Sequence, residues 1–198
     1  MHCLSYSTRR LEIVTFSEEE TRALGMFIGK YSYPGLTILL HGGLGMGKTL
    51  LTQGIGKALG CGKIKSPTFI LIAEHEADIP LIHADLYRLD SHVEADALDF
   101  ENYIDTGCIL VVEWAERWHT PPLKDTLDII ISRYGEDDNS RYVTIRALGN
   151  NAEDLLNALS NDILGSVCEK EGNYEGFGNR LHNQIHKHRN CLRWRRAV

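Results

Sequence analysis

The sequence has no pair of cysteines spaced as C-x-x-C, and its five cysteines are scattered and odd in number: Cys3, Cys61, Cys108, Cys168 and Cys191. This spacing argues against a zinc site and against a scaffold of disulfides, so we expect reduced thiols and a cytoplasmic location. The chain also lacks any apolar run near the ~20 residues that span a bilayer. Because its N-terminus has no continuous apolar stretch either, we expect neither a membrane anchor nor a secretory signal.

Positive charge is in deficit, since 21 Lys and Arg residues accompany 27 Asp and Glu residues and the formal net charge is −6. A chain with this balance is not a general nucleic-acid binder. The length of 198 residues and the 43% apolar content predict one domain over residues 1–164. Residues 165–198 are predicted to form a basic tail that is disordered or partly helical. Contact with RNA or an acidic partner, and a solvated appendage without a role, both stay open for this tail.

What the sequence does contain is a glycine-rich stretch, 42–49, that fits the phosphate-binding pattern G-x-x-x-x-G-K-[ST] at every fixed position. An apolar run at 36–40 precedes it and a helical pattern at 50–59 follows it. Strand, glycine loop and helix together direct backbone N–H groups and a helix N-terminus at a phosphate. Lys48 can then reach the outer phosphates, and the Thr49 hydroxyl can ligate Mg²⁺. The residues expected to contact the nucleotide are Gly42, Gly45, Met46, Gly47, Lys48, Thr49 and Leu50.

Two carboxylates follow predicted strands, Asp85 after residues 80–84 and Glu113 after residues 108–112. In open α/β sheets the ligand lies at the carboxyl ends of the strands, so both acids are expected to point at the nucleotide. Glu113 follows the more continuous apolar run, which favours it as the metal-side group. Asp85 is then the candidate to hold or polarise the attacking water. For each, a capping or ion-paired carboxylate remains the alternative.

The rest of the chain predicts a layered α/β domain. Residues 11–14 are typical of an edge strand, and Ser17 is expected to cap the helix that follows. Two alternating runs around the turn at 135–139 predict an antiparallel hairpin that finishes the sheet. The other expected elements are a strand at 70–73, one or two short helices within 94–105, and a last helix capped by Asn150 or Asn151.

Two segments near the predicted site allow more than one interpretation. Ser66 and Thr68 follow the glycine loop at a distance typical of a segment that senses the γ-phosphate, or they form a polar turn before a strand. Trp114 and Trp118 come just after the Glu113 strand. They either pack a lid or a partner, or they belong to the core.

With these residues in view, the sequence resembles the TsaE family, small ATPases of bacterial tRNA threonylcarbamoyladenosine synthesis. Besides the glycine loop, the matching stretches are Lys65-Ser66-Pro67-Thr68-Phe69, His83-x-Asp85-Leu86-Tyr87-Arg88-Leu89 and Val112-Glu113-Trp114. The resemblance implies a P-loop NTPase-like, three-layer α/β fold with a mixed, mainly parallel sheet. It also implies hydrolysis of ATP with Mg²⁺, the metal being held by Thr49 and Glu113. The lack of a guanine-specifying Asn/Thr-Lys-x-Asp motif agrees with ATP.

The resemblance further implies docking onto TsaB and TsaD homologues, which transfer a threonylcarbamoyl group to N6 of the adenosine beside the tRNA anticodon. The ATPase would reset that complex between turnovers and would meet tRNA only indirectly. Two positions depart from the family pattern: Gly43 replaces an Asp, and Leu50 replaces a frequent Thr. Neither change removes a phosphate or metal ligand, but Gly43 is expected to loosen the loop and slow hydrolysis.

Two other functions remain open at this stage. A small-molecule kinase would share the loop, but such kinases usually close an Arg-rich lid, and Arg117 is the only arginine between residues 89 and 132. A nucleotide-gated adaptor would bind ATP with little turnover. Hydrolysis stimulated by TsaB and TsaD distinguishes the ATPase from both.

Overall fold

The computed structural model of the chain describes residues 1–89, 92–121 and 124–168. Its elements, in chain order, are β1 (His2–Ser7), β2 (Arg10–Thr15), α1 (Glu18–Tyr31), β3 (Thr37–His41), α2 (Lys48–Leu59), β4 (Ile72–His75), β5 (Leu81–Asp85), α3 (His92–Asp96), α4 (Phe100–Asp105), β6 (Ile109–Glu113), a 3₁₀ turn (Ala115–Arg117), β7 (Thr126–Arg133), β8 (Arg141–Leu148) and α5 (Asn150–Cys168). Ser17 caps α1 as predicted, its side chain accepting a hydrogen bond from the backbone of Glu20.

All eight strands belong to one sheet, in the order β1-β2-β8-β7-β3-β6-β5-β4. The centre is parallel: β3 lies between β6 and β7, and β5 continues beyond β6. Strands β5 and β6 are buried along their whole length, as expected where helices cover both faces of a parallel sheet. The carboxyl ends of β3, β5 and β6 therefore meet at one edge of the sheet, where the predicted site residues lie.

The α/β class and the mixed sheet are confirmed, but the prediction of a mainly parallel sheet is wrong for the strands of the described residues. Three of the neighbouring pairs are parallel and four are antiparallel. The β7–β8 hairpin is confirmed, yet it lies inside the sheet, because β2 pairs with β8 and β1 pairs with β2. The prediction of an edge strand at residues 11–14 is therefore wrong, because β1 and β4 are the edge strands of the described sheet. Most of β1 is exposed, so its sequence carries little apolar pattern.

The strand expected at 70–73 begins later, at Ile72. Leu71 adopts a φ of +67°, which interrupts the extended backbone just before it. Two short helices are present, although α3 begins at His92, before the predicted range of 94–105. The last helix is confirmed, but Asn150 is its first residue, so neither Asn150 nor Asn151 precedes it as a cap.

Two apolar cores cover the two faces of the sheet. Helices α1, α2 and α5 pack over one face, and α3, α4 and the 3₁₀ turn pack over the other. Alternate residues of one strand serve the two sides: Ile38 and Leu40 of β3 belong to the first core and Leu39 to the second. This layering fixes α2, and with it the glycine loop, against the carboxyl end of β3.

Helices α1 and α2 approach each other at two glycines. A Cβ atom on Gly25 would lie 2.1 Å from the carbonyl oxygen of Leu51, and one on Gly54 would lie 2.0 Å from that of Arg22. Only glycine leaves room for backbones at this separation. Helix α2, whose first turn carries Lys48 and Thr49, therefore packs closely against α1.

Residues 1–164 form one compact unit, and α5 continues to Cys168. Among the helices that the structure describes, none combines the length and the apolar character needed to cross a membrane. The predicted tail lies outside the described residues from 169 onward, so its order and role stay predictions.

Candidate nucleotide site

The glycine-rich loop, residues 42–49, leaves the carboxyl end of β3 and runs into the N-terminus of α2. Gly42 and Gly47 have φ angles of +141° and +98°, in the region that residues with side chains rarely adopt. A Cβ atom on Gly42 would also lie 2.3 Å from the carbonyl oxygen of Ile131 on β7. The glycines of the sequence pattern thus occupy positions that the backbone reserves for glycine.

Lys48 folds back onto the loop. Its Nζ donates hydrogen bonds to the carbonyl oxygens of Gly42 (2.5 Å) and Gly43 (2.9 Å), and it lies 3.8 Å from the centre of the Trp114 ring. The residue is 5% exposed. Burial lowers the pKa of Lys48, and nearby carboxylates, Glu113 first among them, oppose that change. The ammonium group therefore lies at the mouth of the loop, where its hydrogen-bond partners are loop carbonyl oxygens.

Glu113, at the end of β6, is the centre of a buried hydrogen-bond cluster and is only 2% exposed. The Thr49 hydroxyl donates to its Oε2 at 2.9 Å. Its Oε1 lies 2.8 Å from Nε2 of His83 and 3.4 Å from the hydroxyl of Thr52. The structure thus brings together Thr49 and Glu113, the two residues predicted on the metal side.

Sequence reasoning missed His83 and Thr52. Signals existed for both: His83 shares a strand face with Asp85 two residues later, and Thr52 lies three residues after Thr49 on one helix face. His83 is completely buried, and its Nδ1 has no hydrogen-bond partner among the described residues. Because a carboxylate only accepts hydrogen bonds, Nε2 of His83 donates to Glu113.

Asp85 ends β5 and pairs in register with Glu113 on the adjacent strand. Its Oδ2 accepts hydrogen bonds from the hydroxyls of Ser66 (2.6 Å) and Thr68, and its Oδ1 accepts one from the backbone N–H of Tyr87 (3.0 Å). The two carboxylates are neighbours, but Asp85 is tied to the 66–68 segment and not to the loop. Asp85 thus anchors that segment and is only 2% exposed.

The remaining predicted contacts, Gly45, Met46 and Leu50, lie in the loop and the first turn of α2. The carbonyl oxygens of Gly45 and Met46 point away from the loop's interior, toward Arg141 at the start of β8. Its guanidinium donates to them from Nη2 (3.1 Å) and Nε (2.9 Å). No local motif marks Arg141 in the sequence, because it lies more than ninety residues from the loop.

The two tryptophans take different places. Trp118 is buried in the core and packs edge-on against Phe100, with the ring centres 4.8 Å apart. Trp114 lies at the site, under the Lys48 ammonium and 4.9 Å from the ring of Tyr87. Its φ of +59° is unusual for a bulky residue and turns the chain sharply after Glu113. The core interpretation holds for Trp118, whereas Trp114 is partly buried and packs against the same core from the side of the site.

His41, the last residue of β3 before the glycine loop, forms ion pairs that the sequence did not indicate. Its Nε2 lies 2.7 Å from Asp128 of β7, and its Nδ1 lies 3.5 Å from Glu116. Burial of the ring lowers its pKa, but the hydrogen bonds to Asp128 and Glu116 outweigh burial and raise the pKa to about 9. A protonated ring therefore joins β3 to β7 and to the 3₁₀ turn just before the glycines begin.

Beside Asp85 the surface is apolar and aromatic. Phe69 is 84% exposed and Ile70 69% exposed, and the guanidinium of Arg88 lies 4.2 Å from the centre of the Phe69 ring. Tyr87 extends this surface toward Trp114. Large exposed side chains of this kind, next to a candidate site, are typical of surfaces that contact other molecules.

The residues present suit Mg²⁺ better than a metal held by protein ligands alone. In the part of the chain that the structure describes, no cluster of three or more His, Cys, Asp or Glu side chains could hold a metal ion. The Thr49 hydroxyl and the Glu113 carboxylate, 2.9 Å apart, form a small set of hard oxygen donors. Mg²⁺ is usually bound by one or two protein groups, with phosphate and water oxygens completing the shell.

Fold and site together define a class: an α/β protein whose glycine-rich loop joins a central parallel strand to a helix, with a buried glutamate at the helix N-terminus. Residues 15–143 match the family model described as "Threonylcarbamoyl adenosine biosynthesis protein TsaE". The chain belongs to this family, and the resemblance drawn from its motifs is confirmed.

Individual relatives agree over most of their length. The tRNA threonylcarbamoyladenosine biosynthesis protein TsaE of Bacillus subtilis is 35% identical over 154 residues, which are 77% of this chain and 95% of that protein. The protein of the same name from Nostoc sp. is 40% identical over 152 residues, 73% of this chain and 91% of its own. The crystal structure of Bacillus subtilis YdiB superposes with a TM-score of 0.66 at 33% identity, covering 80% of this chain and 99% of that one.

Proposed function

We propose that this protein is a Mg²⁺-dependent P-loop ATPase that serves the threonylcarbamoylation of the tRNA adenosine next to the anticodon. It works with TsaB and TsaD homologues in the cytoplasm and resets their complex between turnovers. The observation that carries the ATPase assignment is the 2.9 Å hydrogen bond between Thr49 and Glu113 at the mouth of the glycine loop. Membership of the TsaE family supports the pathway.

The loop's own residues do most of the binding in this proposal. Backbone N–H groups of the loop and the N-terminus of α2 hold the β- and γ-phosphates. Lys48 leaves the carbonyl oxygens of Gly42 and Gly43 and places its ammonium group on the outer phosphates. Thr49 and Glu113 are the residues that would hold Mg²⁺, which would supply positive charge that offsets the charge of the phosphates.

Asp85 and the 66–68 segment form the part that responds to nucleotide. Because Ser66 and Thr68 both donate to Asp85, that carboxylate holds the segment in place. If a γ-phosphate attracts the two hydroxyls, Asp85 is released to orient the attacking water. The same movement would shift Phe69 and Ile70, which are exposed and available to a partner. This links nucleotide state to the complex with TsaB and TsaD.

A nucleotide-gated adaptor with little turnover is the second candidate, and a specific observation favours it. Lys48 and Asp85 are both hydrogen-bonded to groups of the chain itself, so each must exchange partners before it can act on ATP. Single-turnover hydrolysis, measured on the protein alone and in the complex, separates the two candidates. An ATPase hydrolyses its bound ATP at a partner-dependent rate, whereas an adaptor leaves the ATP intact in both.

The decisive experiment is ATP hydrolysis by the wild type and by Glu113→Ala in a complex reconstituted with TsaB and TsaD. We expect a marked rise in wild-type hydrolysis when the partners are added, and a loss of about a hundredfold or more for Glu113→Ala. Glu136→Ala, in the exposed β7–β8 turn, is the matched control and should behave as wild type. Absence of stimulation with authentic partners, or full activity of Glu113→Ala, would contradict the proposal.

A further inference from the structure

The Arg141 side chain makes an unusual set of contacts. It is 8% exposed, and its guanidinium donates four hydrogen bonds that all end on main-chain carbonyl oxygens. Two acceptors, Asp138 (2.5 Å) and Ser140 (2.9 Å), belong to its own hairpin. The other two, Gly45 and Met46, belong to the glycine loop. A buried cation thus joins the antiparallel half of the sheet to the loop.

The hydrogen bonds from Arg141 to the Gly45 and Met46 carbonyls also fix the direction of the N–H groups in the same peptides. In a trans peptide the carbonyl and the N–H point in opposite directions. The carbonyl of Gly45 shares its peptide with the N–H of Met46, and the carbonyl of Met46 shares its peptide with the N–H of Gly47. When Arg141 holds both carbonyls, it therefore directs these two N–H groups to the opposite side of the loop, where a phosphate would lie. The Met46 N–H donates there to the carbonyl oxygen of Gly43 at 3.4 Å, a partner that it would exchange for the phosphate.

We propose that Arg141 is a positioning residue that pre-forms the glycine loop for its anionic ligand, a nucleotide di- or triphosphate. This inference rests on the proposed function, because it presumes that the loop binds nucleotide phosphates. Arg141 acts through the loop backbone and does not contact the phosphates, since four of its five N–H groups already donate to carbonyl oxygens. The fixed fork of a guanidinium suits this task, because it spans two adjacent carbonyls at once.

The chain offers a matched control on the same hairpin. Arg133 of β7 pairs in register with Arg141, but its side chain is 53% exposed and forms an ion pair with Asp138 at 2.9 Å. Removing Arg133 therefore changes the same charge at the same turn without touching the loop. A difference between the two arginines isolates the contact with Gly45 and Met46.

The test compares full-length wild type with Arg141→Gln, Arg141→Lys and Arg133→Gln. Binding of Mg·ADP and Mg·ATP is measured by calorimetry, well below the lowest unfolding midpoint of the four proteins. We expect Arg141→Gln to weaken both nucleotides equally, by about tenfold to a hundredfold, the range for lost hydrogen bonds to a charged group. Arg141→Lys should fall between Arg141→Gln and wild type, and Arg133→Gln should stay within about twofold of wild type.

A spectroscopic readout separates positioning from mere folding. In the wild type, ADP should shift the backbone amide resonances of Met46 and Gly47 strongly, and in a folded Arg141→Gln protein these shifts should be much smaller. If Arg141→Gln does not fold, Arg141→Lys decides by the same two measurements.

Unchanged ADP affinity in a folded Arg141 variant overturns the inference while the proposed function stands. Loss of hydrolysis with normal ADP binding also overturns it, because Arg141 would then act on the reaction itself. A wild type that binds neither nucleotide overturns the proposed function and the inference with it.

Discussion

Replacing His83 by leucine should impair the site far more than replacing it by glutamine. His83 donates to Oε1 of Glu113 at 2.8 Å and is completely buried, so leucine removes a donor that water cannot replace. Thr49 still donates to Oε2, but Oε1 keeps only the longer contact with the Thr52 hydroxyl at 3.4 Å. A hydrogen bond to a charged group contributes about 1.5–3 kcal/mol. If that contribution orients Glu113, its loss lowers turnover by about tenfold to a hundredfold.

The assay is ATP hydrolysis in the complex, measured over a range of Mg²⁺ concentrations. His83→Leu should need more Mg²⁺ for half-maximal turnover and should reach a lower maximum. The amide of His83→Gln can still donate toward Glu113, so this variant should recover much of the loss. Thermal unfolding of each variant shows whether a defect in hydrolysis comes from a less stable core or from a Glu113 carboxylate that is no longer oriented.

The control is His75→Leu. His75 of β4 lies next to His83, with ring centres 6.4 Å apart, and its Nε2 has no hydrogen-bond partner among the described residues. Its replacement removes a neighbouring imidazole without removing a donor to Glu113. A wild-type Mg²⁺ response in a folded His83→Leu protein, or an equal defect in His75→Leu, would refute the reasoning.

Three further predictions concern stability and the loop. The His41 pKa is raised from 6.5 to about 9, so its contribution is complete below about pH 6.5 and is lost as the pH rises through about 9. Because the ring is 25% exposed, we expect this contribution to the free energy of unfolding to be roughly 1–2 kcal/mol. Urea unfolding at a series of pH values should show the loss in the wild type but not in His41→Gln. Gly54→Ala places a Cβ 2.0 Å from the Arg22 carbonyl oxygen and should lower the free energy of unfolding by about 2 kcal/mol or more in the same assay. Gly43→Asp has room, since the nearest atom to a Cβ is Met46 Cγ at 3.8 Å, so unfolding should change by less than about 0.5 kcal/mol while hydrolysis becomes faster.

The strongest sequence predictions were those carried by neighbouring residues. The apolar run before Glu113, the glycine pattern before Lys48 and the capping residue Ser17 each act within a few residues of the chain. Their local geometry follows from backbone conformation and strand direction, which the sequence pattern expresses directly. That Glu113 and not Asp85 would lie at Thr49 was reasoned from the length of an apolar run, and the structure places the three residues accordingly.

The missed features depend on contacts between distant segments. β1 is exposed along most of its length, so its residues do not alternate in the way that predicts a strand. It forms a strand because it pairs with the edge of β2. In the sequence, Arg141 is only a residue at the start of a strand, and His41 only the last residue before the glycine loop. The order of the strands brings Arg141 next to Met46 and His41 next to Asp128. The excess of antiparallel pairs has the same origin, since the order of strands is set by tertiary packing.

The charged groups of the candidate site are hydrogen-bonded to other groups of the chain. Lys48 uses loop carbonyls, Asp85 uses Ser66 and Thr68, and Glu113 uses Thr49 and His83. Unpaired buried charges are costly, so these internal partners stabilise the charged side chains in the folded chain. Under the proposed function, Lys48 and Asp85 must both exchange these partners before they can act on ATP. A second molecule that draws the 66–68 segment away from Asp85 would lower the cost of that exchange, and this is the physical reason to expect hydrolysis that rises when TsaB and TsaD are added.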